Sequence, residues 1–158
     1  MAVCRMMRVG GAAFVMAIGG CATLDPARVH LVINIAGKQC DTTSRTAEVH
    51  VTVRNDSRAK LKLSIDSGEH QPPYSLNWLS FKILNEDGVR DWDHATGHGN
   101  MMVDALSIGP GDTTELAIPF YELKPEDYAK TYVIQFQDRR DHQFMTSSFK
   151  LCDVSRPD

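Results

Sequence analysis

The sequence predicts an all-β domain, an antiparallel β-sandwich of about seven to eight strands. Three observations predict it. Apolar and polar residues alternate with a period of two in short segments, turn-forming residues separate these segments, and helical spacing is confined to one turn at 125–130. With 158 residues, 42% of them hydrophobic and 23% charged, the chain has the length and composition of one globular domain.

Each predicted strand carries apolar residues at alternate positions, as a strand with one buried face requires. The polar positions of the first two strands include His30 and His50, which we expect to be cross-strand neighbours. A short segment at 89–92 follows the fourth strand. In chain order the apolar positions are Val29, Leu31, Ile33, Ile35; Ala47, Val49, Val51, Val53; Leu61, Leu63, Ile65; Leu79, Phe81, Ile83; Leu116, Ile118, Phe120; Tyr132, Ile134, Phe136; and Phe149, Leu151.

Turn-forming residues mark where these strands end. Asn55-Asp56-Ser57 follows the second strand, and Asp87-Gly88 suits a hairpin turn with positive φ. Gly109-Pro110-Gly111-Asp112 predicts another turn, directly before the strand marked by Leu116. Short strands separated in this way are typical of a sandwich.

The N-terminus has the pattern of a secretion signal. Arg5 and Arg8 precede an uncharged apolar stretch at 9–18, which is too short to span a bilayer. Ile18-Gly19-Gly20-Cys21 follows and resembles the lipobox of bacterial lipoproteins, in which the chain is cut before the Cys and the Cys is lipidated. The alternatives are a secretory signal cut after Ala22 and a buried N-terminal strand.

The lipoprotein resemblance implies three parts: a cleaved signal peptide at 1–20, a short lipid-anchored tether at 21–28 and a β-sandwich domain at 29–158. Cleavage would leave 138 residues carrying 15 basic and 20 acidic side chains, a net charge of −5. Acyl chains such as palmitate on Cys21 would anchor the protein in a membrane. Because Ala22 is not Asp, the sorting rules for lipoproteins imply the periplasmic face of the outer membrane.

The remaining cysteines, Cys40 and Cys152, form an even pair in what would be an oxidising compartment. We expect a disulfide between them, closing a loop of about 110 residues. Two separate buried thiols are the alternative, and a metal-binding Cys pair lacks the usual spacing.

One stretch is similar to immunoglobulin domains. Leu123-Lys124-Pro125-Glu126-Asp127, followed by Ala129 and Tyr132, resembles the turn before their F strand and implies a helical turn and a tyrosine corner. Tyr132 is one place out of register, and Val133 stands near the usual Cys. More broadly, 49–137 resembles the immunoglobulin-like domain of intracellular proteinase inhibitors, in the Asn-Asp-Ser turn, the 81–88 strand and hairpin, and a Pro-Gly turn. The resemblance implies an immunoglobulin-like architecture, and it does not assign a functional role to any residue.

One loop concentrates residues that bind metals. His94, His98, Met101 and Met102 fall within nine positions, and imidazole and thioether groups suit copper, or zinc for the imidazoles. The alternatives are a surface loop whose Met101 or Met102 enters the core, and a protein-recognition loop anchored by Trp92.

The charge balance gives no indication of nucleic-acid binding, and no catalytic motif or nucleophile–base pair can be named. We therefore expect a membrane-anchored, non-enzymatic module without a cofactor, which binds an envelope protein, acts as an inhibitor or contributes to envelope integrity. The alternative function is a periplasmic copper- or zinc-binding protein that uses the 94–102 loop.

Overall fold

The computed structural model describes residues 23–34, 41–68, 70–90 and 102–152. These residues form ten β-strands, seven of them five residues or longer, and three short 3-10 helices, so the all-β prediction is confirmed. The helices are η1 (Pro26–Arg28), η2 (Trp78–Ser80) and η3 (Pro125–Ala129). The strands are β1 (Val29–Asn34), β2 (Ala47–Asn55), β3 (Leu61–Asp66), β4 (Tyr74–Ser75), β5 (Phe81–Asn85), β6 (Val103–Ile108), β7 (Thr113–Phe120), β8 (Thr131–Gln137), β9 (Gln143–Met145) and β10 (Phe149–Lys150).

Two four-stranded sheets and one strand pair make up the fold. The first sheet has the order β1-β2-β7-β4, with β4 parallel to β7. The second has β8 at its centre, between β5 and the short strands β9 and β10. Strands β3 and β6 form a separate antiparallel pair. The architecture is therefore sandwich-like, and the immunoglobulin-like assignment stays a prediction.

The alternating pattern of β2 and β7 determines which face is buried. Val51 lies opposite Leu116 in the register, and Val49 lies opposite Ile118. All four side chains are buried, whereas Glu48 and Arg54, on the other face of β2, are exposed. Because side chains on a strand point alternately to the two faces, the apolar positions turn one face of the sheet into the core.

An aromatic cluster joins the two sheets. The ring of Phe120 on β7 lies 5.4 Å from that of Tyr132 on β8, in an edge-to-face arrangement. Both rings are 6.3 Å from the ring of Phe149 on β10. Such aromatic pairs add about 0.5–1.5 kcal/mol each to the gain from burial. The side chains from both sheets therefore share one core.

The turns have the conformations that the sequence predicts. The Asn55 side chain accepts a hydrogen bond from the Ser57 backbone, which forms the turn after β2. Gly88 has a φ of +74° where the chain turns back from β5, and Gly111 has a φ of +82° between β6 and β7. Glycine adopts these left-handed conformations without a steric penalty.

The structure differs from the predicted strands at Leu79, at Leu151 and in three additional strands. Leu151 lies in the turn after β10, and β4 and β9, like β6, have no counterpart among the predicted strands. Leu79 does not belong to the fourth strand, because it lies in η2 with 52% of its surface exposed and the strand begins at Phe81. Strand β6 escapes prediction because apolar and polar residues do not alternate strictly along it. It runs beside β3, and its neighbouring residues Asp104 and Ala105 are both exposed.

The chain joins the fold at Leu24. This side chain is 5% exposed and belongs to the core cluster, and Asp25 caps η1 through a hydrogen bond from the Ala27 backbone N–H. The segment predicted as a tether is thus attached to the core at Leu24, while residues 25–28 are exposed. Within the described residues, no helix is long and apolar enough to cross a membrane.

Candidate functional site

Most residues singled out by the sequence lie outside the described ranges. These are Cys21, Cys40, Trp92, His94, His98 and Met101. The lipidation, copper or zinc and Trp92 hypotheses therefore stay predictions.

Of the site residues predicted from the sequence, Met102 and Cys152 are the two that lie within the described ranges. Met102 is 70% exposed, so its side chain does not enter the core. Cys152 follows β10, is partly buried and packs against the core cluster. In the part of the chain that is described, no three His, Cys, Asp or Glu side chains are placed to hold a metal ion.

An apolar pair, Trp78 and Leu79 in η2, stands out on the surface. Their side chains are 46% and 52% exposed. Among the large apolar side chains exposed in the described residues, they alone are neighbours in sequence. An exposed Trp beside a second exposed apolar residue is a candidate anchor for a protein partner, because Trp contributes much of the binding energy at many protein–protein interfaces.

Asn77 holds this apolar pair in a fixed turn. Its fully buried side chain accepts a hydrogen bond from the Leu79 backbone at 3.1 Å and donates one to the Asp66 carboxylate at 2.7 Å. The Asn77 N–H donates to the Ser64 carbonyl oxygen at 3.0 Å, and the Ser80 hydroxyl accepts from the Ser64 N–H at 2.7 Å. Because β3 fixes both ends of η2, the apolar pair is preorganised for binding.

Two signals in the sequence around this pair indicate different structures. Leu79 fits the period of the following strand, whereas Asn77 is a favoured capping residue. The side-chain cap of Asn77 forms, so the strand starts two residues later than the apolar pattern indicates.

The outer face of the first sheet carries a histidine between two carboxylates. His50 Nε2 lies 2.7 Å from Glu48 Oε1, and its Nδ1 lies 3.2 Å from Glu115 Oε1. Partial burial lowers the pKa of His50, but the hydrogen bonds and charges of Glu48 and Glu115 outweigh it and raise the pKa above its usual value.

The expected pairing of His30 with His50 is wrong. His30 lies opposite Arg54 in the register, and His50 lies opposite Asn34. The register places the start of β1 beside the end of β2, which separates the two histidines by four positions. His30 instead lies 3.4 Å from the Asp56 carboxylate.

The end of the domain where β1 begins is here called the basal end. The start of β1, the end of β2, the start of β3 and the 109–112 turn meet there around Asn55. Asn55 lies opposite Val29, and its side-chain amide donates to the carbonyl oxygens of Ala59 and Ile108, both at 2.9 Å.

A basic groove of about 480 Å³ adjoins the basal end. Its lining consists of Lys60, Lys62, Ala105, Ser107, Arg139 and Arg140, so it holds four cationic side chains and no carboxylate. Lys62 points outward from β3 because its neighbours, Leu61 and Leu63, are buried. The groove is therefore a site of positive potential that suits an anion.

The two arginines are positioned by the tip of the β8–β9 hairpin. The Asp138 side chain is buried and accepts hydrogen bonds from the backbone N–H groups of Arg140 and His142 at 2.8 and 2.9 Å. Its other oxygen lies 3.0 Å from His142 Nδ1. The Arg139 N–H donates to the Lys62 carbonyl oxygen at 2.9 Å, which joins the tip to β3.

The opposite, apical end carries a cavity of about 490 Å³ with a different charge pattern. Three carboxylates, those of Glu86, Asp87 and Glu126, line it together with Lys130 and Lys150. Lys130 is paired with Asp127 at 2.7 Å.

No protein-family model matches this chain, and no curated protein matches it at a significant level.

Proposed function

We propose that this protein is a lipoprotein of the bacterial envelope that binds another envelope protein and catalyses no reaction. The observation that carries the binding role is the apolar pair, Trp78 and Leu79, which a buried asparagine holds in an exposed turn. Because both side chains are largely exposed, they contribute little to the core, and a binding role explains why they are apolar.

Fixed geometry is the second argument for binding. An apolar side chain on a mobile loop loses conformational entropy when it binds, which reduces affinity. The hydrogen bonds that Asn77 and Ser80 make to β3 remove much of that cost beforehand. The partner we propose is an envelope protein that presents an apolar pocket to Trp78.

The anchor is proposed from Ile18-Gly19-Gly20-Cys21 and the basic, then apolar, leader before it. The early entry of the chain into the fold is consistent with it, because Leu24 is buried only three residues after Cys21. By the sorting rule for Ala22, we propose the periplasmic face of the outer membrane as its location.

We also propose the Cys40–Cys152 disulfide. Two neighbouring segments support it. The Tyr128 hydroxyl donates to the Ser44 carbonyl oxygen, which places the chain just after Cys40 beside η3. Lys150, two residues before Cys152, pairs with Thr131 just after η3. The chain next to each cysteine therefore lies at the apical end.

A photo-crosslinking experiment in living cells tests the binding role. A photoreactive amino acid replaces Leu79, and a matched control replaces Ser148, an exposed residue outside the apolar pair. We expect a discrete adduct with one envelope protein from position 79 and none from position 148. Adding Trp78→Ala should abolish the adduct, and equal adducts from both positions would refute the proposal.

Radiolabelled palmitate tests the anchor separately. We expect the label to enter the wild-type chain and not the Cys21→Ser variant. Equal labelling of both, or of neither, would contradict lipidation at Cys21.

A further inference from the structure

We propose that the basic groove binds the phosphate groups of anionic lipids and holds the basal end of the domain against the membrane surface. This inference rests on the proposed anchoring at Cys21. Its structural basis is a groove of about 480 Å³ in which four cationic side chains converge without a lining carboxylate.

The four cations have no acidic partner in the described part of the chain. No ion pair is formed there by Lys60, Lys62, Arg139 or Arg140. Carboxylates also lie at the basal end, but none of them pairs with a groove cation. Asp56 pairs with Arg54 and Asp138 with His142, whereas Asp25, Asp112 and Asp141 accept hydrogen bonds from neutral groups and keep their negative charge. The groove charges are therefore available to an external anion.

The groove is also built in advance of binding. Buried Asp138 fixes the hairpin tip that carries Arg139 and Arg140, and the tip is hydrogen-bonded to the backbone of Lys62. Lys60 and Lys62 precede and follow Leu61, which is buried at the start of β3. Guanidinium groups and ammonium groups on fixed backbone suit phosphate, since both donate several charge-assisted hydrogen bonds.

The connectivity of the chain brings this groove to the membrane. Leu24 is buried, so only Ala22 and Thr23 separate it from Cys21, and an extended chain of this length spans about 10 Å. The start of β1 pairs with Asn55, whose amide bonds to Ile108, and Ile108 pairs with Leu61 at the groove. A lipid on Cys21 would thus hold the basal end close to the membrane, where electrostatic attraction operates within about 8 Å at physiological salt.

The distribution of charge favours this orientation. The cleaved chain would have a net charge of −5, so an anionic surface repels it on average. The groove is lined by four cations and no carboxylate, whereas the apical cavity is lined by three carboxylates and two lysines. With the basal end toward the membrane, the groove cations lie close to the lipid phosphates, and the carboxylates of the apical cavity lie far from the membrane surface.

Vesicle binding by the full chain carrying Cys21→Ser tests the groove without the lipid. Partition is measured on vesicles of phosphatidylcholine alone and of phosphatidylcholine with phosphatidylglycerol. We expect a preference of tenfold or more for the anionic vesicles, which falls away as salt is raised from about 0.05 to about 0.5 M. The leader, with Arg5 and Arg8, is the same in every variant compared.

Two groove variants and one matched control decide the assignment. Lys60→Gln/Lys62→Gln and Arg139→Gln/Arg140→Gln should each reduce the anionic preference about tenfold or more. Lys82→Gln/Lys150→Gln removes the same charge from outside the groove and should leave the preference unchanged. Circular dichroism and thermal unfolding confirm that each variant is folded.

Three results would overturn the groove assignment. The first is an equal loss in all three variants, and the second is the absence of an anionic preference in the parent chain. The third is full displacement by millimolar inorganic phosphate, which would indicate a site for free phosphate. If palmitate labelling fails at Cys21 while the groove variants still lose binding, the anchor is wrong and the groove assignment stands.

Discussion

The hydroxyl of Tyr132 donates a hydrogen bond of 3.1 Å to the backbone carbonyl oxygen of Asp127. The Tyr132 side chain is completely buried, and this bond ties the first residues of β8 to the helical turn before them. It is the contact of a tyrosine corner, which the resemblance to immunoglobulin domains implied. The same ring contacts Phe120 of the facing sheet, so one side chain connects a turn with both sheets.

Tyr132→Phe should lower the free energy of unfolding by about 1 kcal/mol, because one buried hydrogen bond is lost while the ring stays. The loss is limited because the Asp127 carbonyl oxygen still accepts from the Lys130 N–H. Urea denaturation measures the change. Tyr128→Phe, which removes a partly buried bond to Ser44, should cost less, and an equal or larger cost would contradict this account.

Asn55→Asp should destabilise the protein by about 3 kcal/mol or more. The Asn55 amide donates to the carbonyl oxygens of Ala59 and Ile108, and a buried carboxylate would place negative charge against both. The change in free energy of unfolding is read from urea or thermal denaturation.

Asn85→Asp is the matched control. The Asn85 side-chain oxygen accepts hydrogen bonds from the N–H groups of Asp87 and Val89, and a carboxylate can accept both. The site is also partly exposed, so we expect a change within about 0.5 kcal/mol. Similar costs for the two variants would show that donation by Asn55 is not the deciding interaction.

The His50 cluster should make stability depend on pH. The carboxylates of Glu48 and Glu115 raise the pKa of His50 in the folded state, so this stabilisation is complete below the unfolded value of 6.5. It is lost as the pH rises through the raised pKa. His50→Gln should therefore cost more free energy of unfolding at about pH 5.5 than at about pH 8.5.

NMR titration of the imidazole provides the direct check on His50. We expect a pKa above the value for a free histidine in the wild type, and a decrease in Glu115→Gln. A titration at or below the usual value in the wild type would contradict the role of the two carboxylates.

The proposed disulfide gives a further prediction. Protein from an oxidising compartment should yield a Cys40–Cys152 linked peptide under non-reducing digestion. Removal of a native disulfide from a small secreted domain typically costs about 2–5 kcal/mol, so we expect a loss in this range for the double variant Cys40→Ala/Cys152→Ala. Recovery of both residues as free thiols would refute the pairing.

Sequence periodicity was most informative where strands have one buried face. Val49, Val51 and Val53 are buried as their spacing indicates, since alternate residues on a strand point to the same side. Periodicity gave the wrong assignment at Leu79, because Asn77 caps a short 3-10 helix there and the strand begins after it. It also missed β6, whose pairing with β3 places several apolar and polar positions at similar exposure.

The surfaces were harder to anticipate than the strands. Trp92, which the sequence predicts as a binding anchor, lies outside the described residues. Trp78, which the sequence analysis did not single out, is exposed in a fixed turn. The groove could not be inferred either, because Lys62 and Arg139 are far apart in sequence and meet only through a backbone hydrogen bond.

The all-β class, the positions of most strands and the turns at Gly88 and Gly111 follow from local sequence patterns, because backbone preference and the period of two act between near neighbours. The burial of Leu24, the display of Trp78 and Leu79 by η2, and the convergence of four cations in one groove became apparent only from the folded structure. These features depend on contacts between residues distant in sequence, and local patterns carry no information about which distant segments pack together.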